Sequence, residues 1–399
     1  MKTLPWLTII GMDAGGFENL PQPAKMALQA APVIIGPQRH LSMLPPLSAE
    51  QIIWPVPFTD GVDIVLAKRG QPLVMLVSGD PFWFGAGSQI TCHLSSDEWI
   101  AYPAASCFSL GASALGWPIE KTDCLGLHAA PLSRLRPYLQ AGKRLMATLR
   151  DGEEIARLQA YLCDQHFDES VIHVLESLGG EDIRITQIQA NQKTETAFHH
   201  PLMVGIMCAG SGRAMPRSAG LEDDWFIHDG QITKNPVRAL TLSALAPQNG
   251  QHLWDLGAGS GSVSIEWLLA GRSMRATAIE RHAERAKNIS QNALNLGVDW
   301  LTIIESENLD VLDNLDKPDA VFIGGGLRAQ LLERLMAILP SGVRLVANGV
   351  TLETERLLGV AHEQYGGSLL KLELSSAEPI GSMRGWKSAY PITQWVLTT

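Results

Sequence analysis

The sequence predicts an α/β protein of two domains, each built on a mainly parallel sheet. Three observations carry that prediction. Short apolar runs alternate with helix-length segments and glycine turns, and strand–helix–strand units with short connections give parallel sheets. The alternation stops at a small, polar, glycine-rich stretch, Ala209-Gly210-Ser211-Gly212-Arg213 to Gly220, and then restarts. Beyond it, Leu253-Trp254-Asp255-Leu256-Gly257-Ala258-Gly259-Ser260-Gly261-Ser262 passes from an apolar strand through alternating glycines into a helix. The expected organisation is therefore a domain over residues 1–210, a linker over 211–222 and a second domain over 223–399.

In the first domain, residues 6–10 form a buried strand leading into Gly11-Met12-Asp13-Ala14-Gly15-Gly16. The apolar run is too short for a signal peptide and lacks a cleavage site. A helix over 23–31 and a strand over 33–35 follow. The apolar strand 73–77 breaks at Ser78-Gly79-Asp80-Pro81 and continues as Phe82-Trp83-Phe84-Gly85. A break at a strand's C-terminal end is where open α/β sheets bind ligands. A plain tight turn, with Asp80 capping the next helix, is the competing interpretation. The loop Tyr102-Pro103-Ala104-Ala105-Ser106-Cys107 precedes a small-residue helix over 108–116. Leu125-Gly126-Leu127-His128-Ala129 looks like a strand end, and a lone histidine such as His128 is more often satisfied and partly buried than catalytic. Strands over 143–148, 171–175 and 201–208, a helix over 153–164 and a β-ribbon over 183–190 complete this half.

The second domain opens with Trp225-Phe226-Ile227-His228-Asp229-Gly230-Gln231-Ile232-Thr233-Lys234-Asn235-Pro236. Asn235 as N-cap with Pro236 at the first helical position starts a helix to about residue 246. That accounts for neither Gln231 nor Thr233. After the glycine stretch come a helix over 263–270, a strand over 275–279 ending in Glu280, and a helix over 283–296. A strand over 302–304 ends at Glu305-Ser306-Glu307-Asn308, and another over 320–323 ends at Gly324-Gly325-Gly326. A strand over 344–347 and antiparallel strands over 369–374 and 392–396 close the sheet.

The alternating glycines let the chain turn sharply and let a ligand lie against the backbone, over a helix N-terminus. Glu280, twenty-three positions after Gly257, suits a ribose diol, because each hydroxyl can donate to a carboxylate. A dinucleotide fingerprint needs glycine at 262, where serine stands, and Asp255 beside the loop opposes a phosphate. A ligand with an ammonium and a ribose but no phosphate fits better, and S-adenosylmethionine (SAM) is that ligand. A glycine-rich turn with no ligand is the competing interpretation. Asn308 ends the third strand where an adenine edge is expected, and the turn at 324–326 lets backbone pass beneath a sulfonium and its acceptor.

Bulk composition narrows the field. The formal net charge is −10, with −6 over residues 1–200 and −4 over 201–399, and no Lys/Arg-rich run argues for nucleic acid. Five scattered cysteines without a CxxC pair are expected to be reduced thiols, with no disulfide framework and no metal site. No apolar stretch approaches a membrane span. With 46% hydrophobic residues, 399 positions suffice for two or three cores, and a soluble, cytoplasmic protein is expected.

The runs Asp229-Gly230-Gln231-Ile232-Thr233-Lys234, Leu253 to Glu266, Val321-Phe322-Ile323-Gly324-Gly325-Gly326 and Val346-Ala347-Asn348-Gly349-Val350-Thr351-Leu352-Glu353 resemble the C-terminal half of a known family. That family is the precorrin-6Y C5,15-methyltransferases (decarboxylating) of cobalamin (corrin) biosynthesis. Val77-Ser78-Gly79-Asp80-Pro81-Phe82-Trp83-Phe84-Gly85 and Leu125 to Ala129 are similar to the tetrapyrrole methylase fold that the family fuses in front. The resemblance implies two α/β subdomains in the N-terminal half and a Rossmann-like class I SAM-dependent methyltransferase fold in the C-terminal half. It also implies a bifunctional enzyme with two SAM sites and a small-molecule precorrin substrate. Such an enzyme methylates precorrin-6B, or its cobalt analogue, at C5 and C15 and releases the ring C acetate carboxylate as CO2, giving precorrin-8. A homo-oligomer is expected.

Carried over by position, Thr233, Gly257, Ala258, Gly259, Ser260, Gly261, Glu280 and Asn308 match cofactor contacts of the C-terminal half. Gly79, Asp80, Ala105 and Ser106 are the expected cofactor contacts of the N-terminal half, and no catalytic side chain is singled out. Two departures matter. Gly11-Met12-Asp13-Ala14-Gly15-Gly16 replaces a Gly-x-Gly-Pro-Gly turn, which motivates an alternative in which the N-terminal half is a non-catalytic tetrapyrrole-binding module. Ser306-Glu307-Asn308-Leu309 replaces a Gly-(Asp/Glu/Ser)-Ala-Pro run, so a backbone contact is what carries over at Asn308. A substrate rich in carboxylates calls for cationic side chains, and Arg238, Arg384 and Lys387 are the candidates on the C-terminal side.

Overall fold

The first ten strands are β1 (Leu7–Met12), β2 (Val33–Gly36), β3 (Glu50–Ile53), β4 (Leu73–Ser78), β5 (Trp99–Tyr102), β6 (Thr122–Gly126), β7 (Arg144–Thr148), β8 (Val171–Glu176), β9 (Arg184–Gln189) and β10 (Leu202–Met207). They belong to a computed structural model that describes residues 5–399. β1 and β4 are buried at nearly every position, so each must sit inside a sheet covered on both faces. They pair side by side in a five-stranded, wholly parallel sheet of order β3-β2-β4-β1-β5. Separate apolar clusters cover its two faces, one around Ile10, Leu28 and Leu76 and the other around Leu7, Met75 and Ile90. A second sheet, β6-β7-β10-β8-β9, has one parallel pair, β6 with β7, and is otherwise antiparallel. This is the expected pair of α/β subdomains. Both sheets fall in one unit, formed by the chain up to Leu132 together with Tyr138–Arg213.

The other unit comprises Ser133–Pro137 and Ala214–Thr399. Its strands are β11 (His252–Leu256), β12 (Arg275–Glu280), β13 (Thr302–Glu305), β14 (Ala320–Ile323), β15 (Arg344–Gly349), β16 (Ser368–Leu372), β17 (Ser375–Ile380), β18 (Met383–Ser388) and β19 (Ile392–Thr398). Seven form one sheet in the order β13-β12-β11-β14-β15-β19-β16, parallel as far as β15 and antiparallel at β19. β11 is central and buried throughout, with its sequence neighbour β12 on one side and β14 on the other, so a switch point opens at its C-terminal end. β17 and β18 form a hairpin outside that sheet and expose Ile380, Met383 and Trp386.

Arg238 corrects one expectation. It is fully buried and donates to Glu266 (Nε to Oε1, 2.5 Å), to Asp223 (3.2 Å) and to the carbonyls of Thr233 and Leu221. Glu266 also accepts from the amides of Gly220 (2.6 Å) and Leu221 (3.0 Å). The pair therefore fastens residues 220–233 onto the helix Ser262–Leu269, and Arg238 is spent inside the fold. Arg384 and Lys387 lie on the exposed hairpin strand β18, with Lys387 paired to Glu378. Asn235 is not the N-cap either. The cap is Lys234, while Asn235 donates from its amide to Asp223 and from Nδ2 to the Gly220 carbonyl. Among the described residues no helix is long and apolar enough to cross a membrane.

Candidate functional site

In the second unit the chain leaves β11 through a turn that only glycine accommodates comfortably. Gly257, Gly259 and Gly261 all have positive φ (71°, 61° and 74°), and a Cβ on Gly257 would fall 2.6 Å from the Gly325 carbonyl. The amides of Gly257 and Ala258 both donate to the Ile279 carbonyl at 3.0 Å, which ties the turn to the end of β12. Ser260 is buried, and its carbonyl accepts from Asn292 at 3.0 Å. Glu280 ends β12 almost wholly buried. Its Oε2 accepts from the Gly259 amide (2.9 Å) and its Oε1 from the His282 amide (3.0 Å).

Further strand ends meet on this edge. Ser306 donates to the Glu280 carbonyl (3.2 Å) and Gly324 to that of Leu256 (3.1 Å). Asn308 opens the short helix Asn308–Val311 close to Gly326. A Cβ on Gly259 would approach the Gln231 carbonyl at 3.1 Å, so the 229–233 segment lies over the glycine turn. Thr233 is half-buried there, and Arg285, which the sequence did not single out, steadies the segment through Asp229 at 2.8 Å. The positions expected to hold a cofactor in this half thus share one sheet edge.

Asp255 departs from its expected place. It is fully buried, and one oxygen accepts from both the amide (3.2 Å) and the hydroxyl (2.6 Å) of Ser264. Burial pushes its carboxyl up to about 6, with the neighbouring Glu280 adding to the shift. The side chain anchors the helix start, not the open side of the turn.

In the first unit the C-terminal ends of β1 and β4 and the loop before the helix Cys107–Leu115 are packed backbone to backbone. A Cβ on Gly11 would fall 1.9 Å from the Gly79 carbonyl. They border a cleft of about 1150 Å3, lined by Gly79 and Ala105 but by neither Asp80 nor Ser106. Asp80 accepts from the Phe82 amide at 2.8 Å, closing a turn instead of capping a helix. Ser106 is the N-cap of Cys107–Leu115, accepting from the Ser109 amide. Phe82, Trp83 and Phe84 stand exposed on the cleft wall, and Phe84 has a positive φ of 54°. His128 also lines the cleft, 3.2 Å from Thr148. Arg39 and His200 join it there, and neither had a signal in the sequence.

A glycine turn at the switch point of a parallel sheet, with a carboxylate ending the next strand, behind a unit of two α/β subdomains, defines a fused α/β methyltransferase. Residues 7–192 match the tetrapyrrole (corrin/porphyrin) methylase family model and residues 224–399 that of the precorrin methyltransferase domain. The chain is 43% identical to a precorrin-6Y C(5,15)-methyltransferase (decarboxylating) of Sinorhizobium sp, across 99% of this chain and 96% of that protein. It is 33% identical to a cobalt-precorrin-6B C(15)-methyltransferase (decarboxylating) of Salmonella typhimurium, across 43% of this chain and 92% of that protein. A solved C-terminal domain of precorrin-6Y C5,15-methyltransferase from Rhodobacter capsulatus is 47% identical and covers 46% of this chain and 100% of its own, with a TM-score of 0.45. The chain belongs to the decarboxylating precorrin-6Y C5,15-methyltransferase family.

Proposed function

We propose that the chain catalyses two SAM-dependent C-methylations of a precorrin. The first unit would act at C5, and the second at C15 with loss of the ring C acetate carboxylate as CO2. The observation that carries this is the correspondence of each unit to one methyltransferase family, joined in the order found in the full-length relative. The alternative, a non-catalytic N-terminal module, is not favoured, because that relative's name covers both positions.

The residues present fit the cofactor. At the turn, Gly257 and Gly259 leave backbone where a Cβ would collide, and Glu280 has lone pairs free beyond those given to Gly259 and His282. When bound, SAM supplies an electrophilic methyl group for in-line displacement. In this reading Glu280 would accept from the ribose hydroxyls, Asn308 would meet the adenine edge through its backbone, and the 324–326 turn would leave room for the acceptor carbon. Thr233 and the segment over the turn would help to enclose the cofactor. The nucleophile is the substrate's own meso carbon, so the protein supplies proximity and orientation. Methylation at C15 leaves cationic character in the ring system, an electron sink for the departing CO2 of the neighbouring acetate. In the first unit, Gly79 and Ala105 offer backbone to a second SAM. Asp80 and Ser106 would act there by shaping the loops that carry those groups.

Calorimetric titration tests the count: two SAM per chain are expected, and one would remove the N-terminal site. Incubation with precorrin-6B and SAM should then yield a product heavier by two methyl groups and lighter by one CO2. We further propose a cytoplasmic homo-oligomer. Five free cysteines suit a reducing compartment, and the apolar side chains on the β17–β18 hairpin suit contact with a second copy.

A further inference from the structure

We infer that Arg39, His128 and His200 form, with Thr148, a pocket for a peripheral carboxylate of the tetrapyrrole on the wall of the first unit's cleft. This rests on the proposal that the macrocycle enters that cleft for C5 methylation.

The topology brings the three together. Thr148 ends β7, where it pairs with Gly126 at the end of β6 and with Met203 near the start of β10. His128 lies two residues beyond Gly126 and His200 three before Met203, so both imidazoles belong to one edge of the second sheet. Arg39 comes from the other sheet, in the helix Gln38–Leu41 that follows β2. All four residues line the one cleft.

Among the described residues Arg39 has no carboxylate partner: its guanidinium meets His40 Nε2 (2.9 Å) and Ser78 Oγ (3.4 Å). Burial and the adjacent guanidinium hold His40 down at about 4, so this partner is neutral near pH 7. Asp13 is the acidic residue of the lining, and it already accepts from Gly15 and from Asn19. A half-buried guanidinium on a largely apolar cleft with no carboxylate paired to it is costly, and a ligand carboxylate relieves that cost.

His200 reports on the same charge. Burial lowers His128, and burial, Arg39 and His128 together lower His200, against the opposing pull of Asp151 and a hydrogen bond at the Arg150 backbone. Cys107, also in the lining, is pushed up to about 11 and stays neutral. A carboxylate seated among Arg39, His128 and His200 reverses the mutual repulsion, so its binding takes up protons and weakens as pH rises.

The test uses the full chain. Precorrin-6B binding is measured by calorimetry in two buffers of different ionisation heat, and C5 methylation is followed at saturating SAM. For Arg39→Gln and His200→Gln we expect KM for precorrin-6B to rise about tenfold or more, the scale of a lost charged hydrogen bond. We expect unchanged SAM affinity, unchanged C15 methylation, and less proton uptake in the His128→Gln/His200→Gln variant. Arg39→Lys, which keeps the charge, should recover part of the affinity. Wild-type KM and undiminished proton uptake in the variants would overturn the pocket, as would a matching loss of SAM affinity. If wild-type protein adds no methyl at C5, the functional proposal fails instead, and the binding titrations still decide the pocket.

Discussion

Glu280 is the residue on which the proposed site of the second unit turns, because its carboxylate accepts from the Gly259 amide and, in that proposal, would also accept from the ribose. Glu280→Ala should weaken SAM binding to this unit by roughly 1.5–3 kcal/mol, the range for lost charged hydrogen bonds. Part of that loss comes from the loosened turn, so Glu280→Gln, which keeps one accepting oxygen, should fall between the two. Calorimetry on the three proteins checks the order, and equal affinities would remove Glu280 from the site. Asp80 acts at one remove, through the Phe82 amide and hence the aromatic wall of the cleft. Asp80→Ala should lower C5 methylation while C15 methylation and CO2 release continue, and Asp80→Asn, which can still accept from that amide, should restore it. Equal C5 rates for Asp80→Ala and wild type, by product mass, would show that the turn does not matter. The placement of Glu280 at a strand end beside the glycine turn was legible in the sequence. Arg238 was not, because a guanidinium matched inside the fold has the same sequence signature as one in solvent.

At the scale of elements, the central strands were legible, as were the edge strands β13 and β16, whereas β3 and the β17–β18 hairpin were not. β1, β4, β11 and β14 are buried at almost every position and mostly apolar, as strands covered on both faces are. β3 has four residues, mostly exposed, and β17 and β18 have no buried face, so neither leaves a periodic signal. The helix Phe58–Ala67 hid behind Gly61, which sits against the Trp54 ring where a Cβ would fall 2.2 Å from it. Side-chain direction was equally hidden: Ser106 belongs to a helix cap and Asp255 to a helix start. Asp255 gives a pH test of that placement. Its folded carboxyl, at about 6, lies above the ordinary 3.8, so its contribution to stability is full below about pH 4 and is lost as pH rises through about 6. Asp255→Asn removes this loss. Its urea midpoint should therefore gain on wild type between about pH 4.5 and about pH 7.5. A constant difference across that range would show that Asp255 titrates normally.

At the scale of the whole molecule, the issue is whether the second unit works without the first. Residues 214–399 contain the complete seven-stranded sheet, both of its core clusters and the glycine turn. The segment expected as a linker is not empty of structure, because Leu221 is buried in one of those clusters and the Gly220 and Leu221 amides both donate to Glu266. A fragment cut at Leu221 loses the Gly220 bond, whereas one beginning at Ala214 keeps it. Both lack Ser133–Pro137, which group with this unit. The Salmonella typhimurium relative aligns over 92% of its own length with 43% of this chain, so a chain of about this half's extent exists as a separate protein elsewhere. The Ala214 fragment should therefore fold, bind one SAM, and convert precorrin-6B to a product that gains one methyl and loses one CO2. In the proposed mechanism the two events belong together, because methylation at C15 would create the electron sink that labilises the acetate. The Leu221 fragment should be less stable by the usual value of a hydrogen bond to a charged group, about 1.5–3 kcal/mol, and so melt at a lower temperature. Thermal melts and product masses decide: CO2 release without methyl gain would break the proposed coupling, and an insoluble Ala214 fragment would show that this half depends on the rest of the chain.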